Sequence, residues 1–337
     1  MRARASSCKT LKSAGWWFDL STSFERDMTS PQPTTLPLGA PLLTAADWIQ
    51  RARQHGLTLW ECQSLMLKAL TQAQGNRAWL YTHDQICLSQ QQSEAFWADV
   101  QRRLDHVPLA YITHENCFYG LTLQVDERVL DPRSDTETLV DWALEILHQK
   151  IEVSTHSLQS STSIGNAKNQ TLRVVDLGCG SGAIALALKA HAPSVEVWAV
   201  DSSPGALALC EHNAKSLGLT LTLQESNWLE ALGSTRFELI VSNPPYIAPG
   251  DPHLAKLGHE PWSALVSADG GMADIRRIAK TALEHLQPQG WLLLEHGHDQ
   301  SERVQSTLAQ WGYLNIHTRP DLAGIPRCTG AQRPNMA

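Results

Sequence analysis

Between residues 172 and 295 the chain repeats one pattern: a short apolar run, a turn, then a stretch with helical spacing. The apolar runs fall at 172–175, 195–200, 219–223, 237–241 and 291–295, and helix-length stretches at 183–191, 204–217 and 272–286 lie among them. Runs this short, rich in Val, Ile and Leu, read as strands buried on both faces. Alternation with helices then implies an α/β fold with a mostly parallel, doubly wound sheet. Such sheets bind ligands beyond the carboxyl ends of their strands, so the loops that follow the runs are where function is to be sought.

The first of those loops is Asp176-Leu177-Gly178-Cys179-Gly180-Ser181-Gly182. Its glycines let the backbone come close to a ligand at the start of a helix. The spacing is G-x-G-x-G, with Ala183 where a dinucleotide fingerprint places its third glycine. Asp201 closes the second run, 23 residues after Gly178, where an acid can accept hydrogen bonds from ribose hydroxyls. Either feature alone also fits an ordinary tight turn; together they imply a nucleotide-like ligand, S-adenosylmethionine or NAD.

The loop after the fourth run is Asn243-Pro244-Pro245-Tyr246. Two prolines set the backbone direction and remove two N–H donors, leaving carbonyls without local partners. Asn243 adds an amide oxygen and Tyr246 a flat ring with a polar tip. Such dipeptides also punctuate plain loops. At the same sheet edge as the glycine loop, however, a cluster of acceptors suits a planar group that carries N–H bonds. A hydride-transfer enzyme has no use for it, whereas an N-methyltransferase does.

In combination, Asp-x-Gly-x-Gly, the strand-end Asp201 and Asn-Pro-Pro-Tyr resemble the class I S-adenosylmethionine-dependent methyltransferases that act on amino groups conjugated to a planar system. Further stretches resemble one family among them, the release factor glutamine methyltransferases: Pro108–Ile112, Val129–Glu137, Glu260-Pro261 with Ala264-Leu265, Glu295-His296-Gly297 with Gln300, and Asp321–Gly324 with Arg327. The resemblance spans residues 42 to 330. It implies a Rossmann-like domain with a small N-terminal helical domain, S-adenosylmethionine as co-substrate, no metal, and class 1 peptide-chain release factors as partners. The expected reaction is methylation of the side-chain N5 of the glutamine in their Gly-Gly-Gln motif, in support of translation termination. It further implies that Asp176, Leu177, Gly178, Cys179 and Gly180 line the methionine end of the cofactor, Asp201 its ribose and Trp228 its adenine, with Asn243 also in contact with the cofactor. Asn243 and Pro244 would hold the glutamine amide, with Pro245 and Tyr246 beside it and Tyr246 packed on the amide plane. Three positions depart from the family pattern: Asp131 stands for an apolar residue, Ser134 for Pro, and Asn227 for an acid before Trp228, the last touching the expected contact to the adenine amino group.

Two rival substrates use similar chemistry. An adenine-N6 enzyme must grip and flip a base, but the formal net charge is −7 and no basic run stands out, so no direct nucleic-acid binding is expected. A ribosomal-protein glutamine methyltransferase lies closer, and the run Asp135-Thr136-Glu137 together with Trp228 favours the release-factor branch.

The rest of the chain fits a two-domain protein. Its seven cysteines are odd in number and include no C-x-x-C pair, which points to reduced thiols in the cytoplasm. No stretch approaches a membrane span. Thr44 with Asp47 and Thr58 with Glu61 have capping-box spacing, and a third helix is expected near Ser93, so residues 42–106 read as a helical docking domain. Residues 107–148 read as a connecting hairpin, around Leu121–Val125, and a helix; 149–170 as a flexible linker; and 171–330 as the methyltransferase domain. Residues 1–41 are expected to be a disordered tail, with 1–27 attributable to a start codon called ahead of Met28.

Overall fold

The computed structural model describes residues 43–70, 77–160 and 171–335. The tail expected at 1–41 lies outside them.

Among the described residues the strands are β1 (Glu115–Phe118), β2 (Leu121–Gln124), β3 (Arg173–Leu177), β4 (Glu196–Asp201), β5 (Thr222–Glu225), β6 (Phe237–Ser242), β7 (Leu286–Glu295), β8 (Leu314–Pro320) and β9 (Pro326–Gln332). The first two pair as an antiparallel hairpin, and the other seven form one sheet in the order β5-β4-β3-β6-β7-β9-β8. The strands from β3 to β7 are parallel, while β9 runs antiparallel to β7 and β8 antiparallel to β9. Alternate residues feed opposite layers. Val174, Leu239, Val241 and Leu293 pack with the helix Ala183–His191; Val175, Leu177, Ile240 and Leu292 pack with the helix Ala273–His285. Apolar side chains on both faces are what made these runs look continuous rather than alternating.

Chain order reverses about β3, whose neighbours are β4 on one side and β6 on the other. A crevice opens at such a switch point, beyond the carboxyl ends of the two strands. Leu177 pairs with Ser242, and the Ser242 hydroxyl donates to the Leu177 carbonyl at 2.7 Å. The glycine loop and Asn243 therefore leave the sheet side by side.

Several expected boundaries shift for local reasons. The third apolar run becomes a strand only at Thr222, because Leu219 is used to end the preceding helix. Gly218, at φ +66°, donates to the Lys215 carbonyl and Leu219 to that of Ala214, a Schellman stop. The helix expected over 272–286 spans Ala273–His285, and Leu286 already belongs to β7. The linker expected at 149–170 is helical through Ser160, since Glu137–Ser160 is one continuous helix with Ile151 packed on the core; residues 161–170 lie outside the described ones. The antiparallel β8–β9 hairpin has no counterpart in the sequence reading, because the largely exposed β8 carries no apolar pattern.

In the N-terminal region both expected capping boxes are present, at Thr44–Asp47 and Thr58–Glu61. The helix expected near Ser93 starts earlier, at Gln90 with Ser89 as its cap, and one that was not expected precedes it over Arg77–His83. Ile112, on the five-residue helix Leu109–Thr113, joins the apolar cluster of Leu65, Met66 and Phe96. The helical domain thus reaches past the expected boundary at 106.

Candidate active site

At the switch point lies a cavity of about 280 Å³, lined among others by Gly178, Cys179, Gly180, Asp201, Trp228 and Asn243. That volume is at the small end of the range for small-molecule pockets.

The glycine loop is held by its own backbone. Gly178 and Cys179 both donate to the Val200 carbonyl, at 2.8 and 3.0 Å, which ties the loop to the end of β4. Gly180 N–H donates to Asp201 Oδ2 at 3.0 Å, and Ser203 N–H to Asp201 Oδ1 at 2.9 Å. Each oxygen of this carboxylate keeps a lone pair for a ligand. Gly178 sits at φ +74°, and a Cβ there would come within 3.2 Å of the Trp228 ring. Loop and indole thus form a cradle that a side chain would fill. Trp228 donates from Nε1 to Asp274 Oδ1 at 3.2 Å, and Asp274 Oδ2 accepts from the Ser267 hydroxyl at 2.6 Å. A planar cradle beside a carboxylate with lone pairs to spare, at a strand end, suits a nucleoside-bearing cofactor.

Two residues expected at the cofactor stand behind the loop instead. Asp176 and Leu177 are fully buried and outside the cavity wall. Leu177 belongs to the apolar layer under the sheet. Asp176 Oδ2 accepts from Ala185 N–H at 3.1 Å, anchoring the loop to the next helix, while Oδ1 accepts no hydrogen bond among the described residues. Burial, aided by the nearby Asp201 and only partly offset by the Ala185 bond, raises the Asp176 carboxyl to about 7. An unfolded aspartate titrates near 4, so between about pH 4 and 7 the folded chain binds more protons and stability falls as pH rises. Asp176→Asn removes that dependence. The stability of the variant minus that of the parent is expected to grow by on the order of 2 kcal/mol from pH 5 to pH 8, whatever constant penalty the new amide carries. Urea unfolding at the two pH values checks this; a difference that does not change with pH would refute it.

On the β6 side, Asn243 and Pro245 reach the cavity, whereas Pro244 is buried and Tyr246 lies outside the wall. The Tyr246 ring packs on the apolar layer and its hydroxyl faces Glu295 Oε1 at 3.4 Å. The interior thus supplies this half-buried tyrosine with an apolar contact and a polar partner. Glu295 is itself buried, and burial raises its carboxyl to about 7. The loop is pinned from outside by Gln300, which donates to the Tyr246 carbonyl at 2.9 Å and accepts from Gly297 N–H at 2.9 Å.

The sequence reading assigned no role to Thr136, Asp274 or Glu295. Asn243 Nδ2 donates to the Thr136 hydroxyl at 3.2 Å across 107 positions of chain. The only sequence signal for Thr136 and Glu295 was their place in stretches that resemble a family. Of the departures, Asn227 lines the cavity, exposed. Asp131 is held by Asn116, outside the cavity wall, and burial raises its carboxyl.

A seven-stranded sheet of this order, with a glycine loop and an Asn-Pro-Pro-Tyr loop facing one crevice, defines a class I S-adenosylmethionine-dependent methyltransferase. Residues 148–258 match the model of the methyltransferase small domain, and residues 61–113 that of the PrmC N-terminal domain. The release factor glutamine methyltransferase of Xylella fastidiosa (strain Temecula1) is 41% identical over 279 residues, covering 82% of this chain and 94% of that protein. The enzymes of the same description from Shewanella oneidensis and Escherichia coli K12 are 40% identical (84% of this chain, 92% of theirs) and 38% identical (75% and 85%). The chain belongs to the release factor glutamine methyltransferase family.

Proposed function

We propose that the protein transfers a methyl group from S-adenosylmethionine to the side-chain N5 of the glutamine in the Gly-Gly-Gln motif of class 1 release factors. The observation that carries this reading is that Asn243 opens on the same cavity as the glycine loop and Asp201. When bound, the cofactor supplies a methyl group on a sulfonium. The chain's residues do the rest. Asp201 would hold the ribose, Gly178–Gly180 the methionine end and Trp228 the adenine.

A glutamine nitrogen is a poor nucleophile because its lone pair is shared with the carbonyl. Asn243 Oδ1 and the Pro244 carbonyl would accept its two N–H bonds, fixing the amide plane and favouring positive charge as it develops on nitrogen. Held in this way, the glutamine nitrogen would take up the methyl group, the electron pair of the broken C–S bond staying on the cofactor's sulfur. The acidic N-methylated amide then loses its proton to a carbonyl or to water, so no strong base is required. The helical domain, with exposed Trp60, would dock the large partner.

The test offers methyl-labelled S-adenosylmethionine with purified release factor, ribosomal protein and DNA, and locates the label by mass spectrometry. Label on the Gly-Gly-Gln glutamine is the expected result. Label on another protein, on DNA, or nowhere would overturn the reading.

A further inference from the structure

We infer that Thr136 is a positioning residue for the transfer: its hydroxyl holds the Asn243 amide so that Oδ1 faces the cavity as acceptor. The inference rests on the reading above, in which Asn243 Oδ1 accepts a substrate N–H.

The terminal torsion of an asparagine is broad and nearly two-fold, so by itself the amide has no preferred face. The wrong orientation would set an NH₂ group against the NH₂ of the substrate, donor against donor. In this structure Nδ2 is committed to Thr136 Oγ1, 3.2 Å away. Thr136 is buried, closes the short turn Ser134–Thr136, and donates its own N–H to the Arg133 carbonyl. Its backbone is therefore fixed within its own turn, 107 positions from Asn243.

A hydroxyl has one proton and two lone pairs. Having accepted from Asn243, Thr136 has its proton left to give. Nearby is the buried Glu295 carboxyl, whose ionised form Thr136 favours. Tyr246, Arg327 and Asp135 face the same carboxyl. As acceptor from Asn243 Nδ2, the hydroxyl turns a lone pair toward the amide, and a carboxylate nearby favours a proton turned away from it. The Asn243 amide is thus oriented from behind by groups that never meet the substrate.

Thr136→Val keeps the shape and removes the hydroxyl, and Thr136→Ser keeps the hydroxyl. In the full chain with release factor, Thr136→Val is expected to lower kcat about 10- to 100-fold. The Kd for S-adenosylmethionine should change by less than about twofold, and Thr136→Ser should return kcat to within about threefold of the parent. If Thr136→Val does not fold, Thr136→Ala makes the same deletion. Unchanged kcat in the hydroxyl-less variant while Asn243→Ala is inactive would overturn the inference alone, as would equal losses in the Ser and Val variants. Full activity in Asn243→Ala would overturn the reading beneath it. The ¹H–¹⁵N resonances of the Asn243 side-chain amide need no turnover: they should shift in Thr136→Val, and unchanged resonances would overturn the inference even if the substrate were a different one.

Discussion

Asn243→Ala should reduce methyl transfer by about 10²- to 10³-fold, the loss seen when one preorganised group is removed from a site where charge develops. Ser242 pairs with Leu177, so the residue after each strand emerges at the same height beside the same crevice. Asn243 Nδ2 is occupied by Thr136, which leaves Oδ1 as its contribution to the cavity. Alanine removes that oxygen and nothing else of consequence. The variant gives up one hydrogen bond of a half-buried side chain, about 1 kcal/mol, so it should fold. The cofactor side should be nearly untouched. The loop's bonds to Val200 and to the Asp201 carboxylate come from backbone N–H groups on the far side of the cavity. The expected signature is therefore a fall in kcat with the Kd for S-adenosylmethionine within about threefold of the parent, measured by label incorporation and by calorimetry. Turnover within tenfold of the parent would remove Asn243 from the chemistry.

What was legible in the sequence was what is local along the chain. The glycine loop is seven consecutive residues, Asn243–Tyr246 four, and both follow apolar strands whose burial on two faces leaves an unbroken run. Capping boxes at Thr44 and Thr58 close over three residues and could be read directly. Contacts that depend on distant chain were not legible. Thr136 meets Asn243, and Glu295 meets Tyr246 across 49 positions, only because the sheet order sets β6 beside β7 and the start of the helix Glu137–Ser160 nearby. Asp176 shows the same limit from the other side. Its place in the motif suggested a cofactor contact, whereas its side chain points at Ala185 and serves the loop from beneath. The motif as a string does not distinguish a residue that lines a site from one that supports it.

The same support explains why Gly271→Ala should be among the most damaging single changes in this protein. Gly271 is buried at φ +82°, and a Cβ on it would lie 2.1 Å from the Tyr246 carbonyl oxygen and 2.6 Å from Gln300 Nε2. An ordinary contact needs well over 3 Å, so the Tyr246 peptide must retreat by about 1 Å. That carbonyl is gripped by Gln300, and the next residue, Ile247, is bonded to Leu265 and Ser267 on both sides, so the loop cannot yield alone. Left-handed strain adds about 1–2 kcal/mol. Together with the lost Gln300 bond, this predicts destabilisation of about 2–4 kcal/mol, a fall in Tm on the order of 3–6 °C. A 1 Å displacement of a positioning loop costs about 10²-fold in rate, and here the displaced loop carries Asn243 three residues away. Gly250→Ala is the control. Gly250 has φ +85° but nothing within 4 Å of a Cβ, so it bears the strain without the collision and should keep near-parental turnover. If Gly271→Ala and Gly250→Ala melt together and turn over alike, the close approach at Tyr246 does not set the geometry of the site.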